Sequence, residues 1–457
     1  MTNQAPSPIA PTALPLSLQH TENMPAGFAA STNVPIVAAR FGDGLCPDRL
    51  ARAFASVVAR HEALRLRFVS GPGGPAGQVI AAAGAVVRDS LPGVTDDAEV
   101  TAEFERILRD PMDLASDGPV ISRIYRLGDG GHAALFAVSH VAADGWSAGV
   151  LRRDISRLYL RPPDGALPAL EEDYYSRHMP AQRRPGETLT ARQAGFFRSS
   201  LRGVPALPAR RGPDTSPVPA YRYAGRRLAD ADASAVFDLA RRLRTTPAKI
   251  LMAAAFLALR DYFGRDSFGV LDVGAARSRG QADWVGLLSK GVPVPVRARD
   301  DMTAGGFVAD VHRQSLQALH MINEPYTLKR VLTLLHGTGE SDMASALYRR
   351  FWTDEAPSSH SVMFNCLTVP PAPAAPFGPD VAVRPLFPRV PQAPQKSRIS
   401  DLDVLPVIEG TSITVAVAAH PGVHDAADVE RVLSSFERVL IRWARDWDGD
   451  APLSRFR

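Results

Sequence analysis

The stretch from residue 120 to residue 158 constrains the fold more than any other. Val120–Leu127 and His132–Ser139 are two strand-forming runs separated by Gly128-Asp129-Gly130-Gly131, which is hairpin spacing. Directly after them, Val150, Leu151, Ile155 and Leu158 recur on one face of a helix that follows Gly145. A hairpin whose second strand feeds an amphipathic helix needs a sheet layer and a helix layer packed together. That excludes an all-helical bundle and an all-β sandwich for this part of the chain. His140 stands where the second strand ends.

The rest of the chain reads in the same terms. A helix begins at Pro47, with Leu50, Phe54, Val57 and Val58 at helical spacing and proline at its first position. Residues 66–69 form an extended exit, residues 71–77 a Gly/Pro turn, and residues 98–109 another helix. Residues 161–220 are richer in Pro, Arg and Gly, hold one helix near 189–201, and mark the crossover between two lobes. Beyond it a helix spans about 233–243. Thr246-Pro247 then starts a helix that runs to about Phe263 and stops at Gly264. Residues 268–274, 291–296, 361–368 and 412–418 are strand candidates, and a final helix covers about 426–447. The prolines of 291–296 predict an edge or irregular pairing. A chain of 457 residues exceeds one ordinary core. The expectation is an α/β protein of two lobes, 1–180 and 181–457.

Composition narrows the function classes. Lys and Arg number 52 against 48 Asp and Glu, a net charge of +4 spread along the chain without a dense basic cluster, so nucleic acid is not an expected partner. Arg183-Arg184 and Arg210-Arg211 read as solvated loop charge. The two cysteines, Cys46 and Cys366, make neither a disulfide framework nor a zinc pattern and fit a reducing compartment. His312, His320, His336 and His360 show no ligand spacing, so no metal is expected. The N-terminus lacks the basic and apolar segments of a signal peptide. The longest apolar run, 250–259, is about half the length of a membrane span, so a cytoplasmic protein with no membrane partner is expected.

The chemistry centres on His140-Val141-Ala142-Ala143-Asp144-Gly145. Acyl transfer needs a group that accepts or shares the proton of an incoming amine or hydroxyl, and a histidine with an ordinary pKa near 6.5 suits that task. Asp144 would fix the turn, and Gly145 permits close turning and a backbone N–H for a developing oxyanion. The hexapeptide alone reads more readily as a structural loop.

Context separates these readings. Ser139-His140-Val141-Ala142-Ala143-Asp144-Gly145-Trp146-Ser147 resembles the central signature of nonribosomal peptide synthetase condensation domains, His-His-x-x-x-Asp-Gly-Trp-Ser. Upstream, Arg60-His61-Glu62-Ala63-Leu64-Arg65-Leu66-Arg67-Phe68 resembles that family's Arg-His-Glu-x-Leu-Arg-x-x-Phe motif. Weaker matches are Leu16-Ser17-Leu18-Gln19, the crossover 197–208, Val273-Gly274-Ala275-Ala276-Arg277, Val285-Gly286-Leu287-Leu288, Glu324-Pro325-Tyr326 and Val362-Met363-Phe364-Asn365. The resemblance implies a pseudo-dimer of two chloramphenicol-acetyltransferase-like lobes in a V shape with an interlobe tunnel. It implies acyl donors carried on the phosphopantetheine arm of a carrier protein, with no cofactor of the chain's own. It makes His140 the group that promotes attack, with Asp144 and Gly145 beside it and Arg277 as the structural partner of Asp144. Ser139, Trp146 and Asn365 become the substrate-side candidates.

Two departures bear on this. Ser139 stands where the family has a first histidine, and Lys290 where it has asparagine. No carrier or adenylation segment is recognisable, so a free-standing monomer meeting its substrates in trans is expected. The leading expectation is a condensation enzyme joining a carrier-bound acyl thioester to an amine or alcohol, with an amide or ester product. The alternatives are a coenzyme A-dependent acyltransferase of the same superfamily and a non-catalytic condensation-like recruitment domain.

Overall fold

The structure, a computed structural model, describes residues 33–71, 74–79, 86–110, 112–162, 189–208, 221–277, 279–323, 325–353, 359–369, 375–386 and 400–456, with 14–15, 29–30, 165, 167–168 and 170. The motif match at 16–19, Glu324 and the two Arg-Arg pairs lie outside the described residues. The chain forms two compact units. The first comprises Met1–Arg183, Asp283–Leu287 and Pro373–Pro391; the second comprises Arg184–Ala282, Leu288–Ala372 and Gln392–Arg457.

In the first unit a five-stranded sheet is built from β1 (Asn33–Phe41), β2 (Val87–Leu91), β3 (Val120–Leu127), β4 (His132–Ser139) and the short strand Val383–Pro385. Its order is 383–385, β1, β4, β3, β2, with β4 in the middle, antiparallel to both neighbours. Centrality explains why β4 is apolar at nearly every position rather than alternating. Ala133, Leu135 and Ala137 pack with Val100, Phe104 and Leu108 of α2 (Asp97–Arg109). From the other face Phe136 meets Phe54 of α1 (Pro47–Arg60), ring centroids 4.9 Å apart. The β3–β4 hairpin closes through Gly130, whose φ is 85°. There Asp129 accepts from Gly131 N–H (3.0 Å) and pairs with Arg40 of β1. β4 then delivers the chain into α3 (Gly145–Leu160).

The second unit carries an eight-stranded sheet: β5 (Arg222–Arg227), β6 (Ser267–Gly274), β7 (Lys290–Arg297), β8 (Val362–Phe364), β9 (Leu367–Val369), β10 (Leu402–Val404), β11 (Val407–Glu409) and β12 (Ser412–Ala419). β7 is an edge, pairing with β6, and its Pro293 and Pro295 cannot donate to a further strand. The single strand expected over 361–368 is two. Asn365 N–H turns to Val404 O (2.9 Å), so β8 pairs with β6 and β10 while β9 pairs with β11.

The helices are α4 (Ala191–Leu201), α5 (Asp230–Arg242), α6 (Pro247–Phe263), α7 (Ala304–Ile322), α8 (Leu328–Thr338), α9 (Asp342–Trp352) and α10 (Ala426–Arg445). α6 is buried on every side from Ile250 to Arg260, which is why its sequence is apolar all round. It ends on left-handed Gly264 (φ 64°). Among the described residues no helix is long and apolar enough to cross a membrane.

Candidate functional site

The turn after β4 is set by its backbone. Ser139 N–H donates to Pro119 O (2.8 Å), and Ala142 N–H returns to Ser139 O (2.9 Å). The side chains of Val141, Ala142, Ala143 and Asp144 are buried, whereas that of His140 is exposed. The imidazole Nδ1 lies 2.9 Å from Ala143 O. A carbonyl oxygen only accepts, so Nδ1 carries a proton, and in the neutral form of the ring the lone pair lies at Nε2. Nε2 makes no hydrogen bond among the described residues.

Asp144 is the N-cap of α3. Its carboxylate accepts from Ser147 N–H (3.0 Å) and Ser147 Oγ–H (2.8 Å), and it is 1% exposed. Gly145 is the first helical residue, so its N–H has no carbonyl within the helix to donate to; half-buried Trp146 follows. Ser147 Oγ also accepts from Gly286 N–H (3.1 Å) and lies 3.0 Å from Gly286 O. One hydroxyl thus joins the end of the histidine turn to the Val285-Gly286-Leu287 motif. Arg153 Nη1 adds a contact with Asp283 at 2.7 Å.

Asp154 is the residue the sequence reading passed over. It is fully buried on α3, and three donors converge on it: Arg60 Nε (3.1 Å), His61 Nε2–H (3.1 Å) and Arg153 Nη2 (2.9 Å). Burial opposes its charge, but the His61 hydrogen bond and the Arg153 guanidinium outweigh burial and hold the carboxyl below its usual range. Arg60 and His61 open the upstream motif, so Asp154 ties that motif to the helix that begins at Asp144. Its signal was an acid on the buried stripe of an amphipathic helix, beside Ile155.

The first unit therefore gathers Ser139, His140, Asp144, Gly145 and Trp146 at one strand–helix junction. Arg277 and Asn365 belong to the second unit. Arg277 follows Ala276, whose φ of 42° is a strained left-handed backbone for an alanine, and its Nη1 lies 3.4 Å from Ala275 O. Asn365 is half-buried at the break between β8 and β9. Lys290 is buried at the start of β7 and donates to Ile322 O (2.8 Å) at the C-terminus of α7; burial pulls its ammonium down to about 8. Among the described residues no group of three or more His, Cys, Asp or Glu could hold a metal ion.

Comparison with known proteins bears on the family and the fold. The chain is 32% identical over 287 residues to a probable non-canonical nonribosomal peptide synthetase, CymA, of Salinispora arenicola; the match takes in 57% of the chain. It is 28% identical over 306 residues to the phosphinothricin tripeptide synthetase PhsC of Streptomyces viridochromogenes, over 63% of the chain. It spans only 4% and 27% of those two proteins. Two solved structures share its fold. One is the SgcC5 protein of Streptomyces globisporus, at TM-score 0.72 and 18% identity, covering 96% of this chain and 100% of that one. The other is the X-domain from teicoplanin biosynthesis, at TM-score 0.71 and 18% identity, covering 98% of each. The fold is thus the α/β, chloramphenicol-acetyltransferase-like one. The family model described as the condensation domain matches residues 27–340, and the chain belongs to the condensation domain family.

Proposed function

We propose that this chain forms an amide or ester bond between an acyl thioester on a carrier protein and an amine or alcohol acceptor. The observation that carries this reading is the state of His140. Its Nδ1 is committed to Ala143 O, and its Nε2 is a free acceptor on the one exposed side chain of an otherwise buried turn. In the proposed step Nε2 accepts or shares the proton of the acceptor N–H or O–H as the nitrogen or oxygen attacks the thioester carbonyl. The carbon–sulfur bond then breaks, and the phosphopantetheine thiol leaves with a proton. Asp144 and Ser147 hold the turn in place. Gly145 N–H is the candidate donor to the oxyanion, and Arg277 is the candidate for structural support of the site. Trp146 and Asn365 remain the substrate-side candidates, whereas Ser139 is fully buried and is set aside from that role.

The test is transfer from a panel of carrier-bound acyl donors to amines and alcohols, read by product mass. His140→Ala is expected to lower the rate by about 10²–10⁴-fold, the usual worth of a positioned acid–base group. Undiminished transfer by His140→Ala would remove the mechanism. Equal or better rates with the same acyl groups on coenzyme A would make the donor coenzyme A rather than a carrier protein.

A further inference from the structure

Ser139 and Asn33 are directly opposed across the β1–β4 ladder. Opposed side chains stand on one face of a sheet, with Cβ atoms about 4.5–5.5 Å apart. Asn33 identifies that face: its Nδ2 donates to Leu108 O (3.1 Å) and Asp110 O (3.2 Å) at the C-terminal end of α2. Both residues are buried, Asn33 at 2% and Ser139 at 0% exposure. Asn33 Oδ1 and Ser139 Oγ have no hydrogen-bond partner among the described residues. Leu135 and Ala137, on the same face of β4 as Ser139, pack with Phe104 and Leu108 of α2. A buried acceptor left unpaired is costly, and the group placed across the ladder from Asn33 Oδ1 is a hydroxyl that can donate to it. An alanine at 139 would fit the same small space without this polar demand.

We propose that Ser139 is a positioning residue: its hydroxyl serves Asn33 Oδ1, after a rotation about χ1 or through one bridging water. The pair thereby holds the last residue of β4 against the end of α2 and sets where His140 leaves the sheet. The inference rests on the proposed role of His140. Ser139 acts behind the turn, through the backbone, and not as a group that touches the acyl donor.

The test takes Ser139→Ala in the wild-type and in an Asn33→Leu background, where the acceptor is gone. Two readouts are followed: steady-state kinetics, and the nitrogen resonances of the His140 ring in histidine-labelled protein, assigned with His140→Ala. In the wild-type background Ser139→Ala is expected to lower kcat by about tenfold with the donor KM unchanged. It is also expected to weaken the Nδ1–H signature of the ring bound to Ala143 O. In Asn33→Leu it is expected to change neither further. Wild-type kcat and ring resonances in Ser139→Ala alone overturn the proposal, as does the same loss in both backgrounds. The ring spectra are read whether or not acyl transfer occurs. A wild-type chain without transfer therefore sinks the proposed function, while the spectra still decide the role of Ser139.

Discussion

At the scale of the residue, position within the backbone decides what each functional side chain does. Asp144 has the sequence signature of a motif acid, yet its carboxylate is engaged as a helix cap on Ser147 N–H. Asp144→Ala is therefore expected to cost about 1 kcal/mol of stability from the lost cap, with a much larger loss of transfer because the His140 turn loosens. Chemical denaturation and kinetics on the same preparation separate the two effects. Gly128 makes a related point. The turn glycines were legible as a hairpin, and Gly130 needs its glycine for φ. The reason for Gly128 is tertiary: a Cβ there would stand 2.3 Å from Pro92 O, a backbone atom with no rotamer to escape by. Gly128→Ala is expected to destabilise by about 1–3 kcal/mol, the usual range for forced overpacking, with denaturant midpoints as the check.

At the scale of the element, the links between helices and strands were harder to read than the elements themselves. Both strands of the β3–β4 hairpin fall at the residues expected, and α6 runs from Pro247 to Phe263 and stops at Gly264 as expected, although Thr246 at its N-cap makes no side-chain cap hydrogen bond. The anchor between the upstream motif and α3 was not visible, because Arg60, His61 and Asp154 lie more than ninety residues apart and meet only when α1 packs on α3. Asp154→Ala leaves Arg60 and His61 without their buried anion, and is expected to cost about 3–5 kcal/mol. Hydrogen exchange should show the loss as faster opening of α1 and α3; unchanged protection there would refute the assignment. β1 also escaped notice, as did α7, α8 and α9. β1 pairs with β4 only through contacts distant in sequence.

At the scale of the whole molecule, burial of charge makes stability depend on pH. In the second unit Arg350 grips Asp401 with two hydrogen bonds (2.8 and 2.6 Å), and Asp403, two residues on, is buried on β10. Burial, reinforced by the Asp401 charge, pushes the Asp403 carboxyl up to about 7. An unfolded aspartate titrates near about 4. Between those values the unfolded chain gives up a proton that the folded chain keeps, so this group makes stability fall as pH rises through the window and level off above it. Asp403→Asn should raise the unfolding midpoint at pH 8 relative to wild type and leave it nearly unchanged at pH 4; parallel midpoint curves would refute this. Asp154 and Asp401 act in the opposite sense. Their carboxyls are held low by their partners, so their contribution is present above the unfolded value and is lost as pH falls through the folded one. The sequence by itself determined the α/β class, the strand–turn–helix frame around His140, and the residues that carry the family resemblance. Those properties rest on periodicity, capping and turn chemistry, which act over a few residues. Only the tertiary structure decided that His140 alone of its turn is exposed with Nε2 free. The same holds for the three donors on Asp154, the buried Ser139 opposite Asn33, and the Asp403 carboxyl near neutrality. Burial and pairing across distant segments set those properties, and they exist only once the chain has closed on itself.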